Sequence, residues 1–170
     1  MPAYTHVLEQ DNKSVTSMGG WTEPDEFGDR LRRFDGADRF VLVLWALPED
    51  MDYGEAVRAG RDGLEYLQAG GSAEALTIEI RKSSGAPWGA EWVRYVVGHP
   101  HTGKERRDVP ITLPRRTELV TPSEVFGADE AADLFYHYYK TGDIPDGYTL
   151  RQVQSFAANG DSVDLTALTD

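Results

Sequence analysis

The chain has 170 residues, a formal net charge of −12 and no cysteine. Its length suits one domain that folds without disulfides, and the lack of cysteine excludes a disulfide framework, a thiolate nucleophile and a zinc site with sulfur ligands. The longest apolar run, residues 40–47, is far shorter than the ~20 residues that cross a bilayer. Charges also interrupt the first residues, where a secretory signal needs an apolar core. We therefore expect one cytoplasmic domain over residues 1–170, with a loosely held tail from about residue 157 and no membrane contact.

The first predicted element is a helix that begins near Thr22. A proline and three acidic residues occupy its first turn, where unpaired amides and the helix dipole favour them. Phe27, Leu31 and Phe34 follow at spacings of four and three residues, which places them in one apolar stripe. The turn signal at residues 35–36 ends this helix.

Four segments are predicted to be strands. Residues 40–47 lack polar alternation, which indicates a central strand buried on both faces. Residues 76–81 alternate between apolar and polar side chains, which is typical of a strand with one solvent-exposed face. Residues 91–97 follow a turn-rich stretch and predict an antiparallel partner for that strand. Residues 111–120 are also extended, but Pro114 interrupts them and suits the edge of a sheet.

Residues 54–71 do not give a clear prediction. Their apolar spacing suits a helix, but Gly60 and Gly63 each weaken a helix by about 1 kcal/mol relative to alanine. We interpret the first half of this segment as a loop or a weak helix.

The last predicted helix begins at residues 121–123 and ends at Gly142, where a carboxyl-terminal cap favours a residue with positive φ. The aromatic stretch of residues 133–148 raises the question of a Tyr/His active site. Phe135 and Tyr138 share one side of the helix, and tyrosine can bury its ring while its hydroxyl stays in water. Packing on a sheet is therefore the favoured interpretation.

A short strand over residues 148–153 closes the domain. Together these elements predict an α+β fold. We expect a mainly antiparallel sheet of about five to six strands, with an N-terminal and a C-terminal helix packed on it.

Catalytic motifs are incomplete throughout the chain. Residues 98–104 spell most of a phosphate-binding loop, but Glu105 stands where that loop needs Ser or Thr to hold magnesium. His99 and His101 would share one face of a strand, yet no third metal ligand is readable nearby, so we interpret them as part of a turn. No serine lies in a nucleophile-elbow motif. We therefore expect no enzyme activity, no cofactor and no metal.

The charge is unevenly distributed along the chain. Residues 81–116 carry five more basic than acidic side chains, so the remainder carries −17. A broad negative field repels nucleic acid and attracts basic proteins, although net charge also serves solubility alone. We expect a basic protein partner and no direct binding of nucleic acid.

The carboxyl-terminal third resembles a known family. Tyr95 and Gly98 end one predicted strand, and the sequence "TPSEVFGADEAADLFYHYYKTGDIPDGYTL" follows at residues 121–150. This arrangement is similar to the type-one immunity protein family of bacterial polymorphic toxin systems. The matching positions are Ser123, Ala131, Ala132, Phe135, Thr141, Gly142 and Pro145.

That resemblance implies a small α+β protein that binds and neutralises a cognate toxin, often one acting on nucleic acid, inside the producing cell. The partner would be a toxin domain with a basic surface. Two alternatives remain: a regulatory or adaptor domain that binds another basic protein, and an enzyme with dispersed catalytic residues. The candidate toxin contacts are Glu49, Asp50 and Asp52 with Tyr53 in the loop after the first central strand, and Trp88, because aromatic residues commonly anchor interfaces.

Overall fold

The computed structural model describes residues 4–83 and 91–165. They form an α+β fold built on a large antiparallel sheet, as predicted. The strands are β1 (Tyr4–Gln10), β2 (Ser14–Gly19), β3 (Val41–Ala46), β4 (Tyr66–Ser72), β5 (Ala75–Ser83), β6 (Trp92–Gly98), β7 (Val109–Thr112), β8 (Thr117–Val120), β9 (Thr149–Phe156) and β10 (Ser162–Asp164). The helices are α1 (Asp25–Leu31), α2 (Tyr53–Arg58) and α3 (Ala128–Thr141), and a 3-10 turn covers Pro122–Glu124.

Within the described residues the main sheet has eight strands in the order β10-β9-β6-β5-β4-β3-β1-β2. The predicted five to six strands were therefore too few. The β1–β2 hairpin is rich in polar residues, and β4 contains Gly70 and Gly71, so neither shows the apolar pattern of a strand. Strands β7 and β8 form a separate two-stranded sheet and are not an edge of the main one. Pro114 lies in the turn between them.

Helices α1 and α3 pack together on one face of the sheet, which we call the helix face. Phe27 of α1 and Phe135 of α3 are fully buried, with their ring centroids 5.8 Å apart. Beneath them lie the alternate side chains of the central strands, including Leu44, Leu67 and Ile78. Each such side chain stabilises the fold by about 1.5–3 kcal/mol through burial. The helix face is therefore the main apolar core.

Both helices begin later than predicted. The Thr22 hydroxyl donates to the backbone carbonyl of Gly19 (2.9 Å) instead of capping α1. Residues 121–124 form a separate turn, in which the Glu124 carboxylate accepts the backbone N–H of Thr121 (2.9 Å). Helix α3 starts only at Ala128, because this turn intervenes. Its end is as predicted: Gly142 has φ 79° and its amide donates to the carbonyl of Tyr138.

The opposite face of the sheet, which we call the second face, is covered only in part. Helix α2 packs there through Ala56 against Val7 and Trp45. The β7–β8 hairpin covers another part, where Gly71 has φ 122° and a Cβ on it would lie 2.8 Å from Ile111. Glycine is required at this position because of this positive φ and because a Cβ would lie still closer, at 2.4 Å, to the backbone carbonyl oxygen of Ala75.

Strand β5 differs from the sequence interpretation in one respect that matters for function. Its polar residues were expected in solvent, but Thr77 is 4% exposed and Glu79 is 5% exposed. The pairing of Gln68 with Glu79 and of Gly70 with Thr77 places all four on the second face. They are buried because parts of the chain distant in sequence lie over them.

Candidate functional site

The loop between β3 and α2, residues 48–52, is the predicted acidic contact region, and we call it the acidic loop. Glu49 and Asp50 are exposed in it. The backbone N–H of Met51 donates to the carbonyl of Pro48 (3.1 Å), which closes a turn. Asp50 has φ 61° within this turn. An aspartate in this conformation is strained by roughly 1–2 kcal/mol, so its geometry is imposed by its surroundings.

Asp52 joins the acidic loop to α2. Its carboxylate accepts the backbone N–H of Glu55 (2.8 Å), and the Glu55 carboxylate accepts the backbone N–H of Asp52 (3.2 Å). This reciprocal pair is a capping box, which satisfies two amides at the start of the helix. Asp52 is therefore a structural residue of the loop, with its carboxylate still exposed.

Tyr53 anchors the same segment to the sheet. Its ring lies 6.1 Å from that of Trp45, and Trp45 is 1% exposed. The indole N–H of Trp45 donates to the Glu9 carboxylate (3.0 Å). The acidic loop is thus held between a helix cap and a buried aromatic side chain.

Four of the five predicted contact residues lie together in this one segment: Glu49, Asp50, Asp52 and Tyr53. Trp88, the fifth, lies outside the described residues. The surrounding segment, residues 48–65, contains six acidic side chains against two arginines. At the adjacent end of α3, burial raises the pKa of the Tyr138 hydroxyl, and the carboxylates of Glu65 and Asp143 raise it further. Residues 48–65 therefore form an anionic segment with a net charge of −4.

A polar cavity on the second face is a separate candidate site, and we call it the sheet cavity. Its volume is about 630 Å³. Gln68, Gly70, Thr77 and Glu79 form its floor, and the turn between β7 and β8 forms one wall. The opposite wall is the β1–β2 turn, where the Asp11 carboxylate accepts the backbone N–H groups of Phe40 (2.7 Å) and Val41 (3.2 Å).

Glu79 is the buried acid of the sheet cavity. Its carboxylate accepts a hydrogen bond from Arg94 at 2.7 Å, and Arg94 also donates to Gln154 (3.1 Å). Burial raises the pKa of the Glu79 carboxyl, and the ion pair with Arg94 opposes that shift. The pair keeps a carboxylate in a largely dehydrated place, which is stable only while both partners are present.

Sequence reasoning missed Thr77 and Glu79 because the alternation of β5 placed them on a solvent-exposed face. Their burial depends on the β7–β8 turn, about 35 residues later in the chain. The local signal that was available is the pair Gly70–Gly71 opposite them, since glycine in a strand often marks the close approach of another backbone.

His99 has a packing role. The His99 ring stacks on Phe126, with centroids 4.3 Å apart, and its nitrogens bond the Ser123 carbonyl (2.7 Å) and the Glu130 carboxylate (2.8 Å). The Tyr148 hydroxyl donates to the same carboxylate (2.9 Å). Among residues 4–83 and 91–165, no group of three histidine or acidic side chains is placed to hold a metal ion.

In the described parts of the chain, every helix is too short or too polar to cross a membrane. Comparison with protein-family models, with curated proteins and with solved structures found no match for this chain.

Proposed function

We propose that this protein is an immunity protein, which binds and neutralises a cognate bacterial toxin and catalyses no reaction itself. The toxin it fits is one with a basic surface, and in particular one that acts on nucleic acid or nucleotides. The resemblance of residues 121–150 to an immunity family supports this proposal, and so does the net negative charge of residues 48–65.

The observation that carries the proposal is the fixed geometry of the acidic loop. Glu49 and Asp50 are exposed, but the backbone that presents them is held by the Asp52–Glu55 capping box and by Tyr53 on Trp45. A loop that is ordered before binding loses less conformational entropy when a partner docks. The strained backbone of Asp50 fits such a pre-organised contact.

The negative charge of the protein increases its rate of association with the toxin and favours partners that have a basic surface. A toxin that handles phosphate groups needs a positive cleft, and an acidic protein can occupy it with carboxylates in the place of phosphates. Opposite fields accelerate association well above the rate for neutral partners, and salt screens this effect. Tyr53, beside the carboxylates, and Trp88, which lies outside the described residues, are the proposed aromatic anchors.

Co-expression tests this function directly. The proposal predicts that a toxin domain is encoded beside this gene. That domain is produced in a bacterial host with and without the protein, and survival is counted. We expect wild-type protein to restore growth. Restoration should fail for Glu49→Lys/Asp50→Lys and persist for Asp38→Lys/Glu74→Lys, which makes the same change in net charge at exposed acids outside the acidic segment. Equal killing with and without wild-type protein would refute the immunity function.

A further inference from the structure

We infer that β2 is a docking strand: an extended, basic segment of the toxin adds beside it as a ninth strand of the main sheet. This mode of binding rests on the proposed function and extends it from the acidic loop to a second surface. That surface consists of β2, the groove beside Val15 and the ring pair of Tyr4 and Trp21, and we call it the β2 edge.

The first observation is a contrast between the two edges of the sheet. At one edge, β10 has only three residues, and one of them is Asp164. At the other edge, β2 has six residues, SVTSMG, without a charge or a proline, and the irregularity in the β1–β2 pairing places the extra residue in β1. Proteins use short strands, charges, proline and bulges to prevent an edge from pairing with another chain. Strand β10 has two of these features and β2 has none.

The second observation is that the backbone of β2 can accept a further strand. Alternate residues of an edge strand direct their N–H and C=O groups away from the sheet. Among the described residues, β2 pairs only with β1, and no other hydrogen bond involves residues 14–18. Gly19 marks the end of this edge, because its carbonyl already accepts the hydroxyls of Thr22 and Tyr139.

The third observation is a groove on the second face that begins at this edge. Its volume is about 390 Å³, and its apolar lining is Val15, Val41, Val43 and Tyr53. Val15 is 44% exposed. When a peptide adds to a sheet, its backbone supplies affinity and pockets for alternate side chains supply selectivity. The groove therefore suits an aliphatic or aromatic side chain of the added strand, and it connects β2 with Tyr53, one of the proposed toxin contacts.

The ring pair provides a second apolar contact at the end of the same strand. Tyr4 and Trp21 are 54% and 56% exposed, with their ring centroids 5.9 Å apart. The indole lies over Gly19, where a Cβ would collide with it. Exposed tyrosine and tryptophan are among the residues that most often anchor an interface.

The charge around the ring pair indicates the chemistry of the partner. Four exposed carboxylates lie near this end of the strand, those of Glu23, Asp25, Glu49 and Asp50. The first two follow Trp21 in the chain. The other two lie in the acidic loop, which starts at the same end of the sheet because the Leu47 amide donates to the Thr5 carbonyl (2.9 Å).

None of these four carboxylates forms a salt bridge with another described residue. They favour a strand that carries Lys or Arg beside its apolar side chains. A second copy of this chain is disfavoured as the occupant, because each copy has a net charge of −12. The occupant is therefore a segment of the basic toxin.

The two edges of the sheet provide a matched test. Val15→Lys places a cation on β2, and Val163→Lys makes the same change on β10, where the side chain is 59% exposed. Binding of the full chain to the neighbouring toxin domain is measured by calorimetry. We expect Val15→Lys to weaken binding at least tenfold, because lysine blocks edge pairing and repels a basic strand. Val163→Lys should bind within twofold of the wild type, and both variants should keep the wild-type melting temperature.

A second pair of variants tests the aromatic contact. Trp21→Ala should also weaken binding at least tenfold. Leu119→Ala removes an apolar side chain of similar exposure (55%) on β8, and it should leave the affinity unchanged.

Hydrogen exchange tests the mode of binding. We expect alternate amides of residues 14–18 to become protected when the toxin binds, whereas the amides of residues 162–164 should exchange as in the free protein. If the toxin binds the wild type but β2 gains no protection, or Val15→Lys keeps full affinity, the docking strand is wrong and the proposed function stands. Absence of toxin binding by the wild type would overturn both. A dimer of the free protein that Val15→Lys dissociates, seen by sedimentation, would identify a second copy as the occupant and would also overturn the assignment.

Discussion

The two faces of the sheet bury different kinds of side chain. On the helix face, α1 and α3 close an apolar layer in which Phe27 and Phe135 are fully buried. On the second face, the β1–β2 and β7–β8 turns border a polar cavity, and the buried groups include Thr77 and Glu79. Burial of apolar surface stabilises a fold, whereas burial of polar groups rarely does. The comparison indicates that apolar stabilisation is concentrated on the helix face.

The largest expected effect is on the helix face. Phe135→Ala removes a fully buried ring between two helices and leaves a cavity, which should lower the free energy of unfolding by about 3–5 kcal/mol. Leu119→Ala on β8, where the side chain is 55% exposed, is the control and should change it by less than about 0.5 kcal/mol. Denaturant unfolding measures both. Equal losses of unfolding free energy in the two variants would contradict the claim that the apolar stabilisation of the fold is concentrated on the helix face.

The buried ion pair of the second face should come next. Glu79→Gln leaves Arg94 without its carboxylate and should reduce stability by about 2 kcal/mol, less than for a fully buried pair because Arg94 is 26% exposed. Glu118→Gln breaks the more exposed pair with Arg116 on the same face and should change stability by less than about 1 kcal/mol. The double variant Glu79→Gln/Arg94→Gln should be more stable than Glu79→Gln alone, because it no longer contains an unpaired buried charge. A more stable Glu79→Gln single variant would contradict this account of the pair.

A pH dependence of similar size is expected from His6. Burial beside Tyr139 lowers the pKa of its imidazole to about 4, so folding favours the neutral ring. This stability is present above pH ~6.5, the unfolded pKa of histidine, and is lost as the pH falls toward 4. The full shift corresponds to about 3 kcal/mol, and because the His6 side chain is only partly buried we expect a loss of about 2 kcal/mol.

His6→Phe keeps a ring against Tyr139 but cannot titrate, so it should show a smaller loss over the same pH range. Unfolding measured at intervals between neutral and acidic pH gives the difference between the two proteins. Parallel curves for wild type and variant would show that His6 is not responsible.

The smallest effect on stability is expected at the acidic loop. Asp52→Ala removes the helix cap and should reduce stability by about 1 kcal/mol. Asp62→Ala, an exposed acid outside any cap, should have almost no effect. If both variants unfold alike, Asp52 does not hold the loop in place.

The elements that the sequence predicted correctly are those with a local pattern. The apolar stripe of Phe27 and Leu31, the buried run of β3 and the positive φ of Gly142 each follow from residues close together in the chain. Strand β4 was missed because Gly70 and Gly71 hide its apolar pattern, and Gly71 is required there by its positive φ and by the close Ala75 carbonyl.

From the sequence we could propose only the part of the candidate site whose residues lie close together in the chain. The acidic loop was identified from its charges, and the capping box of Asp52 and Glu55 was also readable, since Asp followed three residues later by Glu is its signature. The sheet cavity could not be predicted, because its floor and walls come from β4, β5 and two distant turns. The charged side chains that line this cavity come close together only when the chain is folded.

The measurement that tests the central claim most directly is the association rate with the neighbouring toxin domain. We compare Glu49→Lys/Asp50→Lys with Asp38→Lys/Glu74→Lys by stopped-flow fluorescence, at low and at high salt. The account predicts that the acidic-loop variant associates at least tenfold more slowly at low salt, with an unchanged melting temperature, and that salt narrows the difference. Equal association rates for the two variants would contradict the claim that the acidic loop is the toxin-binding site.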